Sequence, residues 1–191
     1  MVPKLRKPVL LTGFWCAGKS TIGKELGKKL GVPYVDLDKW IENKTKMSLN
    51  QLFEREGMSY FREFERQALE LQVVLRPYAV IALGGGTLLK DSNIQLTTQK
   101  SYLIHLEADL KEIFRRLKTS SSYQRIFQPK KMNAPEDLDP FFRARQEGYE
   151  RAHWSIEVTD KSLKEVTDQI IDHLFQKNLL VWEEKTLWMA N

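Results

Sequence analysis

Gly13, Gly18, Lys19 and Ser20 stand at the spacing of a phosphate-binding loop. The run Gly13-Phe14-Trp15-Cys16-Ala17-Gly18-Lys19-Ser20-Thr21 fits G-x-x-x-x-G-K-[ST]. Glycines let the backbone curl until successive N–H groups face phosphate oxygens. A helix starting at the loop adds the positive end of its dipole. Lys19 can then reach the β- and γ-phosphates, and the Ser20 hydroxyl can ligate Mg2+. The flanking context is the one such a loop needs: Val9, Leu10 and Leu11 read as a short buried strand, and Thr21 to Leu30 read as a helix. Gly13, Ala17, Gly18, Lys19, Ser20 and Thr21 are therefore the candidate nucleotide-binding residues, and the expected ligand is a nucleoside triphosphate.

Asp36 and Asp38 follow in Val35-Asp36-Leu37-Asp38, after the strand candidate Pro33–Val35. Side chains two apart on extended backbone share a face. Beside a phosphate loop, one carboxylate can serve the metal while the other orients or deprotonates a hydroxyl. The plainer reading makes Asp38 the N-cap of the helix through Trp40 and Ile41. Gly84-Gly85-Gly86 ends the strand candidate Ala79–Leu83. Three glycines there permit positive φ and a close backbone approach to a ligand, or simply a tight turn. Many phosphate-loop enzymes end such a strand with a metal-holding aspartate; this one ends in glycine, which leaves that task to Asp36 and Asp38. Arg62 falls off the buried stripe of Phe61, Phe64, Ala68 and Leu69, facing either solvent or a ligand anion. Arg143, Arg145 and Arg151 pose the same choice in a later helix. Arg125 lies in the stretch 119–139, whose serines, prolines and mixed charges suggest an active-site lid or a disordered loop.

These groups need a scaffold, and the rest of the chain supplies one. At 191 residues it suits a single domain over 1–178, with a C-terminal tail over 179–191. Short apolar strands alternate with helices, the pattern of an α/β domain with a parallel sheet. The remaining strand candidates are Tyr102–Leu106 and Ser155–Val158. Ser48 with Gln51 and Ser162 with Glu165 form capping boxes, and Asp139 with Pro140 an N-cap and first-turn pair. A net charge of +5 comes from lysines and arginines interspersed with acids, which argues against nucleic acid as a partner. No apolar run approaches the ~20 residues of a membrane span. One cysteine, Cys16, excludes an internal disulfide and fits a reducing, cytoplasmic setting. Its place near a helix N-terminus and a lysine favours the thiolate, unless the side chain is a small buried filler. Trp182 and Trp188 in the tail suit either packing across the domain or a partner.

In the order phosphate loop, Asp-x-Asp, Phe-Arg-x-x-Glu, Gly-Gly-Gly, arginine-bearing lid and Arg-x-x-x-Tyr, the chain resembles the shikimate kinases from about residue 8 to residue 176. The resemblance implies a three-layer P-loop kinase fold: a central parallel five-stranded sheet, flanking helices and a mobile lid. It implies transfer of the ATP γ-phosphate to the 3-hydroxyl of shikimate, in the route to chorismate and aromatic amino acids. Carried over, Lys19, Asp38 and Arg125 are the catalytic residues, and Arg125 also meets the nucleotide. Ser20 and Asp36 hold Mg2+. Asp38, Arg62, Arg145 and the backbone of Gly84, Gly85 and Gly86 take shikimate. Two departures stand out: Cys16 or Ala17 replaces a further loop glycine, and Arg125 is followed by Ile126, Phe127 and Gln128 instead of proline and leucines. The expected protein is monomeric or weakly associating, with no nucleic-acid or membrane partner. Its rivals are a gluconate-type kinase and a non-catalytic domain of the same fold.

Overall fold

Parallel strands need long crossovers, and the helical stretches between the apolar runs provide them. The computed structural model describes residues 2–119 and 132–183. Its strands are β1 (Val2–Leu5), β2 (Val9–Gly13), β3 (Tyr34–Asp36), β4 (Val80–Ala82), β5 (Tyr102–Glu107), β6 (Trp154–Glu157) and β7 (Leu180–Glu183). Its α-helices are α1 (Lys19–Leu30), α2 (Leu37–Thr45), α3 (Leu49–Leu75), α4 (Asp91–Lys100), α5 (Leu110–Thr119), α6 (Asp139–Glu150) and α7 (Leu163–Gln176).

Five strands pair in parallel in the order β3-β4-β2-β5-β6. The central strand β2 is buried throughout, and its alternate residues serve two separate cores. Val9 and Leu11 join Leu26 and Leu30 of α1, Ile113 of α5 and Ile170 of α7. Leu10 faces the other way, among Ile41 of α2, Phe61 and Leu69 of α3 and Ile94 of α4. Two helical layers on one parallel sheet make the three-layer fold that the family resemblance implies. Among the described residues no helix is long and apolar enough to cross a membrane.

Local signals place most helix starts. Ser48 and Ser162 both form reciprocal capping boxes, with Gln51 and Glu165 respectively. Asp139 is a correction: it is the first residue of α6 and makes no cap, pairing instead with Arg143 at 2.8 Å. Helix α3 breaks at Gly57, whose φ of +83° few other residues adopt. The break turns Met58 to Glu65 along the cavity described below. Residues 120–131, with Arg125, lie outside the described residues. The described end of the stretch 119–139 is packed: Met132 and Leu138 are buried, and Pro135–Leu138 forms a 3-10 turn.

Sequence periodicity did not reveal β1 and β7. They form a separate antiparallel ribbon, Leu5 opposite Leu180, joining the chain's two ends. Both leucines are buried in the core of the α1 face, while Trp182 is half exposed. Trp188 lies outside the described residues. Leu180→Ala should lower the unfolding free energy by about 2–5 kcal/mol, the range for leucine truncation in a core. Chemical denaturation reads this directly. A loss below about 0.5 kcal/mol, typical of surface sites, would make the ribbon peripheral.

Candidate active site

The carboxyl ends of β2, β3 and β4 open into one cavity of about 830 Å3. Strand β2 ends at Gly13 and α1 starts at Lys19, with Gly18 as N-cap at φ +97° and no side chain capping the helix. The first-turn N–H groups thus have no intrahelical partner and can meet an anion. Cys16 takes a left-handed φ of +55°, so it, and not Ala17, occupies the position that suits a glycine. Lys19 Nζ donates to the carbonyls of Gly13 and Phe14, both at 2.8 Å, and holds the loop closed on itself. Burial lowers its pKa to about 8, against the pull of Asp38.

The two aspartates divide their work differently from the extended geometry expected. Asp36 closes β3 and caps α2, accepting from Lys39 N at 3.2 Å. Its other oxygen accepts from Ser20 Oγ at 2.7 Å and from the Tyr34 hydroxyl at 3.3 Å. Asp38 lies one residue into α2, so the pair does not share a strand face, and Asp38 is not the cap. Burial, with Glu65 and Asp36 nearby, raises its carboxyl to about 7, although Lys19 opposes this.

Of the readings open to the glycine triplet, the tight turn is present, with Thr87 N donating to Gly84 O at 3.2 Å, and positive φ is not. None of Gly84, Gly85 and Gly86 has positive φ. Each makes room for a site side chain instead. A Cβ on Gly84 would sit 2.5 Å from Asp38 Oδ1, one on Gly85 2.6 Å from Trp15 Cδ1, and one on Gly86 2.5 Å from Arg62 Nη2.

Arg62 turns inward and pairs with Glu65 at 2.7 Å. Glu65, almost wholly buried, also accepts from Thr87 Oγ1 at 2.7 Å. Arg145 reaches the same cavity from α6, its Nε donating to Gly85 O at 2.6 Å and its Nη1 to Phe141 O at 2.5 Å. Burial lowers its pKa, and the nearby Arg62 adds to this. Behind it Tyr149 stacks on His105 at 4.4 Å, and burial holds His105 near 4, hence neutral. Arg143 and Arg151 are exposed and do not line this cavity. Sequence reasoning gave no role to Glu65, Thr87, Trp15 or Arg116. Arg116 lines the cavity from α5 and donates to Cys16 O at 3.4 Å. Only the Arg62/Glu65 spacing of three along a helix signals any of these contacts.

A parallel sheet that carries this loop, with carboxylates beside it and arginines turned inward from the flanking helices, is a P-loop kinase. More narrowly, the chain belongs to the shikimate kinase family, whose family model matches residues 15–175. It is 30% identical to the shikimate kinase of Dictyoglomus turgidum, over 89% of this chain and 98% of that one. It is 35% identical to that of Geobacter sulfurreducens, over 88% and 91%. The solved shikimate kinase of Acinetobacter baumannii, in complex with shikimate, matches with a TM-score of 0.81 at 27% identity, over 91% and 95%. A gluconokinase from Sinorhizobium meliloti, at 14% identity and a TM-score of 0.60, shares the fold alone.

The raised pKa of Asp38 has a cost in the ligand-free protein. A carboxyl whose folded pKa exceeds its unfolded value of 3.8 stabilises the fold while protonated. That contribution is lost as the pH rises towards about 7. Asp38→Asn should therefore unfold later than the wild type at pH 8, by at least about 1 kcal/mol. The difference should vanish below about pH 4. Thermal melts across pH measure it, and a variant less stable at pH 8 would show that the ionised carboxylate is well solvated.

Proposed function

We propose that this chain transfers the γ-phosphate of ATP to the 3-hydroxyl of shikimate, and that one observation carries the reading. A single cavity holds the phosphate loop, the buried Asp38 and two inward arginines, Arg62 and Arg145. The Lys19 ammonium exchanges its two loop carbonyls for phosphate oxygens and neutralises charge on the γ-phosphate. Asp38, close to Lys19 and to the glycine triplet, accepts a hydrogen bond from the attacking hydroxyl and takes its proton as the bond to phosphorus forms. Its raised pKa suits that task near neutral pH. Arg62 and Arg145 grip the substrate carboxylate, and the backbone of Gly84, Gly85 and Gly86 lines the ring. Arg125, outside the described residues, is assigned to the nucleotide by the family pattern.

Ser20 and Asp36 fit Mg2+, because a hydroxyl and a carboxylate already 2.7 Å apart offer hard oxygen donors. Among the described residues no cluster of three acidic, histidine or cysteine side chains could cage a metal. Phosphate and water oxygens would therefore complete the shell. Bound there, the ion would offset the charge of the phosphates. A monomer and a cytoplasmic setting accord with the small, soluble substrates.

Gluconate also carries a carboxylate, so an acceptor panel with ATP and Mg2+ is the discriminating test. Shikimate should be phosphorylated far faster than gluconate or any nucleoside monophosphate. Binding of shikimate without turnover would instead mark a non-catalytic domain. Asp38→Asn should lower kcat by about 10²–10⁴-fold with ATP affinity little changed. A variant that keeps most of its turnover removes Asp38 from the chemistry. Arg62→Ala or Arg145→Ala should weaken shikimate binding about ten- to a hundredfold. Equal losses for an analogue without the carboxylate would overturn the clamp.

A further inference from the structure

We infer that Trp15 is the positioning residue that orients Arg145 for the acceptor's carboxylate, tying the phosphate loop to the acceptor site. The inference rests on the acceptor reading above and deepens it. Trp15 sits inside the loop, between Phe14, whose carbonyl binds Lys19, and Cys16. Its indole reaches across the cavity to three neighbours. The Arg145 guanidinium carbon lies 4.7 Å from the indole centroid, and 5.7 Å from that of Phe14. The indole edge rests on Gly85, where a Cβ would come within 2.6 Å of Cδ1 and 2.8 Å of Nε1. Phe141 of α6 supports it from beyond, at 5.4 Å between rings.

Arg145 is therefore held by three kinds of contact. Gly85 O takes its Nε hydrogen and Phe141 O one of its Nη1 hydrogens. The indole face lies beneath the guanidinium carbon, a cation–π contact that favours this placement of the arginine. Among the described residues nothing takes the Nη2 hydrogens, which leaves them for an anion on a guanidinium that has lost much of its rotational freedom before the anion arrives. Preorganisation of that kind raises affinity by reducing the ordering cost of binding. The same residue types also explain why Gly85 lacks a side chain: any Cβ would push the indole off the arginine.

The test compares Trp15→Leu with Trp15→Phe, following steady-state kinetics for each substrate and protein fluorescence. The leucine variant should raise the shikimate KM about five- to thirtyfold while the ATP KM stays within about twofold, and the phenylalanine variant should recover most of the loss. Shikimate should change the wild-type emission, and that change should be absent from Trp15→Phe. A wild-type shikimate KM in the leucine variant overturns the assignment. So does an equal rise in both KM values, which would mean general damage to the loop. If the wild type itself shows no saturation with shikimate, the acceptor reading fails and this inference with it. Saturation in the wild type, with no effect of Trp15→Leu, sinks the Trp15 role alone.

Discussion

Burial of the Lys19 ammonium is the constraint on which the rest of the site depends. A cation taken out of water must be paired and hydrogen-bonded, or it loses its proton. Lys19 meets that demand twice over: through the carbonyls of Gly13 and Phe14, and through the charge of Asp38. The first pairing closes the loop around an ammonium where phosphate is expected. The second requires a nearby carboxylate, and Asp38 is left for it because Asp36 caps α2 and accepts from Ser20. Asp36, Asp38 and Glu65 are among the carboxylates that share a cavity with Lys19, Arg62 and Arg145. Incoming anions meet groups that are already placed and only partly neutralised.

That placement depends on rigid neighbours. Each functional group leaves the end of a sheet strand or the face of a packed helix. Alternate residues of β2 lock the sheet between two cores, which fixes the backbone from which the loop, acids and arginines project. The glycine triplet completes the arrangement by leaving out side chains. Asp38, Trp15 and Arg62 each occupy a space that a methyl group would fill. Phosphoryl transfer asks for positioning and charge more than for covalent help, and this architecture supplies both.

The nucleotide half of the site was legible because its signal is local. Loop spacing, an apolar strand before it and a helix after it all fall within about twenty residues, where period and turn chemistry are readable. The far side of the cavity depends on tertiary contacts, and there the structure departs from what spacing suggests. Asp36 and Asp38 look equivalent on an extended chain, but the helix starts between them and separates their roles. The glycines suggest positive φ or a tight turn; the turn is there, but the room they leave is taken by three side chains from distant parts of the sequence. The spacing of three points to the Arg62–Glu65 pair, but nothing local says that Thr87 joins it and that Glu65 is buried. Trp15 occupies a variable position of the loop pattern, so its contacts with Gly85 and Arg145 leave no trace in spacing. The β1–β7 ribbon pairs residues at opposite ends of the chain, the kind of contact that periodicity cannot see.

The central claim is that this geometry delivers phosphate to one particular hydroxyl, and phosphorus NMR of the reaction mixture tests it most directly. With shikimate, ATP and Mg2+, one new phosphomonoester signal should grow in step with ADP. Proton coupling should place that phosphate on the carbon bearing the 3-hydroxyl. Phosphate on another hydroxyl, or ADP accumulating with only free orthophosphate, would contradict the account.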